Sequence, residues 1–201
     1  IYKDQTGKVY EQKISQLALA NLDYDYRNRH HLSYNFMMVH DNVQSVGDYD
    51  GMDSGKFNDD YDNMGFTRRQ QANDNWLLVN QLMTNWGLTK TLSFDAGASY
   101  NVVKGSEPDR RINNLRKAAE GYTLLEGNSQ QRYFSELNEN DLNVKAGLTY
   151  RLADDQEEIS NIRIGYNGRF VNDDFEATEY NMTVAHSSVF RLEDFSLDSS
   201  V

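Results

Sequence analysis

The stretch Asp141-Leu-Asn-Val-Lys-Ala-Gly-Leu-Thr-Tyr-Arg-Leu152 carries the clearest structural signal in this chain. Its apolar residues occupy every second position, and the residues between them are polar, charged or glycine. Side chains of a β-strand point alternately to its two faces, so the pattern predicts a strand with one apolar and one polar face. A tilted strand of about 9 to 11 residues is also long enough to cross the hydrocarbon of a bilayer.

The same alternation recurs along the chain and predicts an all-β structure. We predict six strands, at about 14–26, 31–40, 75–86, 91–103, 141–152 and 161–171. Short turns lie at 27–30, 87–90 and 153–158, whereas about 41–73 and 104–140 lack the pattern and are predicted as two long loops. In the second loop, Ser106 and Pro108 predict the start of a short helix that carries Ile112, Leu115 and Ala119 on one face.

The composition excludes several classes of protein. The chain has 201 residues and a formal net charge of -11, with 20 Lys and Arg against 31 Asp and Glu, which argues against binding nucleic acid. It has no Cys, which rules out disulfides and thiolate metal sites. The mean hydropathy of -0.78 gives no sign of membrane helices. It is compatible with a transmembrane β-barrel, because half of each barrel strand faces a polar lumen.

Alternation of short and long connections favours an antiparallel up-and-down transmembrane β-barrel with two long extracellular loops. Aromatic residues fit two interfacial girdles, with Tyr24, Tyr26, Trp86 and Tyr150 near the short turns and Trp76, Tyr100 and Phe170 near the long loops. A soluble β-sandwich or soluble β-barrel is the alternative, since a single buried face also produces alternation. Strands of about 11 residues favour the barrel, because soluble strands average about 5 to 6. The smallest such barrels have about 8 strands, so we expect residues 1–201 to form part of one larger barrel domain.

Candidate binding residues fall in the predicted loops and on the polar face of the strands. The loops present Tyr49, Asp50, Tyr61, Arg110, Arg111 and Tyr122 as candidate ligand-binding residues. The polar face carries Asp95, Lys145, Arg163 and Arg169 as lumen charges, which either pair with one another or are hydrated by a wide lumen.

The sequence contains only weak indications of a catalytic or metal-binding site. The acidic run Asp48, Asp50, Asp53, Asp59, Asp60 and Asp62 offers oxygen ligands for Ca²⁺, but its spacing does not match a twelve-residue calcium loop, so we expect a solvated loop. His40 and Asp41 are neighbours on a strand and diverge, which argues against a catalytic dyad. No nucleophile motif or phosphate-binding loop occurs in the sequence. We therefore predict no enzyme activity, no catalytic residue, no metal and no cofactor.

Several phrases resemble the barrel sections of TonB-dependent outer-membrane receptors of Bacteroides-type bacteria. They are Leu-Ser-Tyr-Asn-Phe-Met-Met (32–38), Gln-Ser-Val-Gly-Asp-Tyr (44–49), Glu-Pro-Asp-Arg-Arg (107–111), and Arg-Tyr-Phe-Ser-Glu-Leu (132–137) followed by Leu-Thr-Tyr-Arg-Leu (148–152). The resemblance covers most of residues 14–185. It includes neither the family's plug domain nor its TonB box.

The resemblance implies a location and a set of partners. The location would be the outer membrane of a Gram-negative bacterium, where the chain contacts the lipid bilayer, the rest of its own barrel and a surface lipoprotein. The TonB complex would act through parts absent from this sequence, and the cargo would be an iron chelate, a peptide or a glycan. A passive or adhesive outer-membrane barrel and a soluble cell-surface binding module stay open as alternatives.

Overall fold

The computed structural model describes residues 2–27, 29–57, 63–125, 127–155, 158–184, 188–189 and 191–192. Within these ranges the chain forms seven strands: β1 (Lys3–Tyr26), β2 (His30–Asp53), β3 (Met64–Gly87), β4 (Leu92–Ala118), β5 (Gly121–Leu124), β6 (Gly127–Asp155) and β7 (Glu158–Val184). None of the described residues forms a helix long and apolar enough to cross a membrane.

All strands belong to one sheet, in the order β1-β2-β3-β4-β6-β7, with the short β5 paired to β4. Each neighbouring pair is antiparallel. The predicted all-β, antiparallel up-and-down sheet is therefore confirmed, and each of the six predicted strands corresponds to part of one long strand. The described sheet is open, because β1 and β7 pair only with the strand on their inner side.

The prediction of a long loop at about 41–73 is wrong, because most of this segment is strand. β2 continues to Asp53 and β3 begins at Met64. The connection is reduced to residues 54–63, of which 58–62 lie outside the described residues. The alternating pattern disappears here because neither face is apolar, whereas backbone hydrogen bonds between strands do not depend on side-chain polarity. Cross-strand pairs such as Arg68 Nε to Asp48 Oδ1, 2.6 Å apart, support the extension.

The long loop predicted at about 104–140 is also wrong, as is its short helix. β4 runs to Ala118, β5 turns back onto it, and β6 begins at Gly127. Pro108 lies in a β-bulge, where the register of β4 against β6 shifts between Glu107 and Arg110. Proline has no N–H to donate, so it is tolerated in a sheet at a bulge as well as in the first turn of a helix. The proline that suggested a helix start therefore marks the bulge instead.

The strand register aligns the alternating apolar residues into a band on one side of the sheet, which we call the apolar face. Leu22 lies opposite Tyr34, and Tyr34 lies opposite Leu82. Across the other half of the sheet, Leu148 lies between Phe94 and Ile164. The apolar face carries its band over residues 76–86 of β3, 92–102 of β4, 142–152 of β6 and 162–170 of β7. The opposite side is called the polar face.

The most buried side chains lie beyond this band, at the end of the sheet away from the short turns, which we call the distal end. Phe57 and Leu115 are completely buried there. Phe57 folds back from the β2–β3 connection onto Gly65, where an added Cβ would lie 2.6 Å from the ring of Phe57. The band itself has no cover in the described structure, since Leu22 is 67% and Ile164 is 75% exposed.

Candidate functional site

Two of the candidate ligand-binding residues, Asp50 and Tyr122, meet at the distal end. The Tyr122 hydroxyl donates a hydrogen bond to Asp50 Oδ1 at 3.3 Å, and its ring meets Phe66 edge-on with centroids 6.3 Å apart. Partial burial raises the pKa of Tyr122, and the negative charge and hydrogen bond of Asp50 raise it further. The phenol therefore stays protonated and offers a donor beside an accepting carboxylate, an arrangement suited to a hydroxyl or amide group of a ligand.

Tyr49, another aromatic candidate, does not join this pair. Tyr49 lies on the polar face, where its ring covers two glycines. An added Cβ on Gly7 would lie 2.7 Å from Tyr49 Cδ1, and one on Gly47 would lie 2.9 Å from Tyr49 Cε2. Tyr49 therefore fills space left by glycines of its own and the adjacent strand. Tyr61 lies outside the described residues.

The two candidate arginines both follow the bulge at Pro108 and point to opposite faces of the sheet. Arg110 stacks over Tyr133, with Cζ 4.1 Å from the ring centroid, and its Nη1 lies 3.4 Å from Glu107 Oε2. Consecutive residues of a strand point to opposite faces, which directs Arg111 to the other side of the sheet. A β-bulge commonly redirects side chains next to a functional site. The two arginines therefore serve different surfaces.

Arg111 shares the carboxylate of Asp109 with Arg132. Arg111 Nε lies 2.6 Å and Arg132 Nη2 lies 3.0 Å from Asp109 Oδ2. Partial burial raises the pKa of Asp109, but the hydrogen bonds from Arg132 and Arg111 outweigh it and hold the pKa below its usual range. Two cations around one anion leave a local positive charge on an otherwise acidic chain, and Arg111 and Arg132 offer donors to an anionic group.

The four candidate lumen charges all lie on strands, and two of them form an ion pair with each other. Arg163 Nη2 donates to Asp95 Oδ2 at 2.7 Å across the intervening β6. Arg169 instead bonds Asp141 Oδ2, with Nη2 at 2.9 Å. The stem of Lys145 lies over Gly97, where an added Cβ would meet Lys145 Cε at 2.8 Å. The polar face thus carries cross-strand pairs within the level of the apolar band.

The structure shows one cluster that the sequence did not predict, centred on His40. Its Nε2 lies 2.6 Å from Asp74 Oδ1 and its Nδ1 lies 3.0 Å from Gln16 Oε1. The ring stacks on Trp76, with centroids 3.8 Å apart. The hydrogen bond with His40, followed by that from Asn42, lowers the pKa of Asp74. The partner of His40 is thus Asp74 across the sheet and not the neighbouring Asp41, a pairing that requires the strand register.

The acidic run shows no arrangement for calcium in the part that is described. Asp48 pairs with Arg68, and Asp50 accepts from Tyr122. Asp53 Oδ2 lies 3.4 Å from Lys3 Nζ. Asp59, Asp60 and Asp62 lie outside the described residues. Among the residues that are described, no group of three or more His, Cys, Asp or Glu side chains is placed to hold a metal ion.

No protein-family profile matches the chain, and no curated protein matches it.

Proposed function

We propose that this sheet is part of the wall of a transmembrane β-barrel, with the apolar face towards lipid. The observation that carries the proposal is the apolar band, which Asn80 and Thr84 interrupt in β3. The segments 76–86, 92–102 and 142–152 each cover 11 residues, and 162–170 covers 9. A bilayer requires about 9 to 11 residues of a tilted strand.

The oblique course of the band supports the same conclusion. Trp76 at the distal border of the band lies opposite Lys104, which is already beyond the band in β4. Val102, the last apolar residue of the band in β4, in turn lies opposite the polar Asn140 of β6. The border therefore moves towards the short turns from β3 to β6. This slope is expected when strands tilted by about 35 to 45° cross a flat hydrocarbon layer.

Exposed apolar area argues against the soluble binding module. Among the described residues, only Phe57, Phe66 and Leu115 are buried hydrophobic side chains, and none of them lies in the band. A sheet with one apolar face is stable only when that face is covered by a second layer or by lipid. Contact with lipid explains why the exposed apolar band is as long as the strand segment that crosses a bilayer.

Within this proposal, TonB-dependent import of a scarce nutrient is the function we favour, as the sequence resemblance implies. The paired charges of the polar face, such as Arg163 with Asp95, suit a wide hydrated lumen. The strands also continue well past the band, for example from residue 75 to Met64 in β3. That continuation would carry Asp50, Tyr122 and Arg111 outside the membrane, where they would meet a ligand. A passive or adhesive barrel is the second candidate, because surface-exposed strand ends would serve adhesion as well.

Growth experiments distinguish these two functions. A strain lacking the protein is grown with single limiting iron, peptide or glycan sources, beside a strain lacking TonB. TonB-dependent import predicts a growth defect on one source that both strains share. A passive barrel predicts a defect that does not require TonB, and an adhesin predicts normal growth with reduced surface attachment. As a control, the deletion strain carrying the gene on a plasmid should regain growth.

A further inference from the structure

An aromatic cleft interrupts the apolar face beside the short turn between β1 and β2. Its volume is about 280 Å³, and it is lined by Tyr24, Tyr26, His30, His31, Leu32 and Trp86. Tyr26, His30 and Trp86 lie side by side in three adjacent strands. The cleft therefore belongs to the proposed membrane surface, at the border nearest the short turns.

The polar atoms around the cleft are arranged so that its walls stay apolar. Trp86 Nε1 donates to Thr84 Oγ1 of the same strand, which leaves the indole ring available for apolar contact. The ring of His30 lies between Tyr26 and Trp86, with centroids 6.0 Å and 4.8 Å away. His30 Nδ1 is buried and has no hydrogen-bond partner among the described residues. A buried polar atom without a partner is costly, so His30 can still gain from a hydrogen bond to a ligand.

A cation stands at the rim of the cleft. The guanidinium of Arg27 lies over the ring of Tyr26, with Cζ 5.0 Å from the centroid. Arg27 adopts a positive φ of 53°, the left-handed conformation that closes the turn. The nearby carboxylate of Asp25 is bonded to His31 Nδ1 at 2.8 Å, on the polar side of the sheet. Arg27 thus places a positive charge against the Tyr26 wall of the cleft.

We propose that this cleft binds one anionic phospholipid, with an acyl chain against Tyr24, Leu32 and Trp86 and the phosphate at Arg27. Amphipathic aromatic side chains and a neighbouring arginine match the two halves of such a lipid. This proposal rests on the proposed membrane function. The turn between β3 and β4 offers a contrast, because the cleft near Lys90 is lined by Thr89, Thr91, Ser93, Thr149 and Asn161 and carries no aromatic wall.

Tryptophan quenching tests the proposal. The chain has two Trp residues, so Trp76→Phe leaves Trp86 as its single Trp while keeping an aromatic ring against His40. This variant is refolded into phosphatidylcholine vesicles containing a small fraction of lipid with brominated acyl chains, either phosphatidylglycerol or phosphatidylcholine. Brominated phosphatidylglycerol should quench Trp86 more strongly than brominated phosphatidylcholine at the same fraction.

Variants at the rim provide the controls. Arg27→Gln should lower the apparent affinity for phosphatidylglycerol about fivefold, the effect of one cation beside a lipid phosphate. Arg27→Lys should retain most of the preference, and Lys90→Gln should leave it unchanged. Circular dichroism confirms that each variant keeps its strand content.

The outcomes separate this inference from the membrane proposal. Equal quenching by both brominated lipids, or an unchanged preference in Arg27→Gln, would overturn the lipid site and leave the membrane span intact. Absence of quenching by either lipid in a folded chain would overturn both.

Discussion

Replacing Leu82 by arginine tests the proposal that the apolar face lies against lipid. Leu82 lies on the apolar face near the middle of segment 76–86, opposite Tyr34 and Ala98, and is 49% exposed. If that surface faced water, Leu82→Arg would change stability by no more than about 0.5 kcal/mol, as expected for a surface substitution. In a bilayer, an arginine at the midplane of the lipid face costs about 2 to 4 kcal/mol.

Gln81→Arg is the matched control, because residue 81 is the next residue of the strand and lies on the polar face. Gln81 Oε1 accepts a hydrogen bond from Asn35 Nδ2 at 3.2 Å. Loss of this hydrogen bond costs about 1 kcal/mol. Both variants are unfolded with denaturant from lipid vesicles, and their free energies of unfolding are compared. We expect Leu82→Arg to be the more destabilised by about 1 to 3 kcal/mol, from the difference between these costs. Equal effects, or a larger effect of Gln81→Arg, would refute the assignment of the faces.

Three further predictions concern the distal end. Because the pKa of Asp109 is lowered, its carboxylate stabilises the fold above its unfolded pKa of about 3.9 and loses this effect as the pH falls through the lower folded value. Asp109→Asn should therefore weaken the acid sensitivity of amide hydrogen exchange near the bulge, and an unaltered pH profile would contradict this. Gly65→Ala should displace the ring of Phe57 and destabilise the distal end by about 1 to 3 kcal/mol in denaturant unfolding, whereas wild-type stability would show that Phe57 does not pack there. Asp50→Asn should lower the pKa of Tyr122 towards its ordinary value, seen by ¹³C NMR of the tyrosine ring carbons, and a constant pKa would contradict the contact.

The strand segments of the apolar band are predictable from sequence because one apolar face forces a period of two. In Leu142 to Leu152 every apolar side chain lies on the same face, so both the strand and its orientation follow from the pattern. The direction of each strand relative to the next also follows, because turns of a few residues require antiparallel neighbours.

The distal half of the sheet is not predictable in this way, because no apolar face imposes a period of two there. From Asp41 to Asp53, the side chains on both faces are largely polar or glycine, and the strand continues through its backbone hydrogen bonds with β1 and β3. Pro108 was informative but ambiguous, since the same missing N–H suits a helix start and a bulge.

Contacts between candidate residues depend on register, which the sequence does not contain. His40 meets Asp74 only because β2 and β3 pair with His40 opposite Trp76. Asp50 and Tyr122 are brought together across several strands in the same way. The candidate residues are therefore recognisable in the sequence, whereas the contacts that each one makes are not.

A spin-label scan along β3 tests whether the apolar face lies against lipid. The chain has no Cys, so single cysteine substitutions from residue 76 to residue 86 can be labelled one at a time in lipid vesicles. We expect alternation: labels at positions 78 and 82 are reached by oxygen dissolved in lipid, and those at positions 79 and 81 by a water-soluble relaxation agent. Equal access of the water-soluble agent to both sets would contradict the placement of the apolar face against lipid.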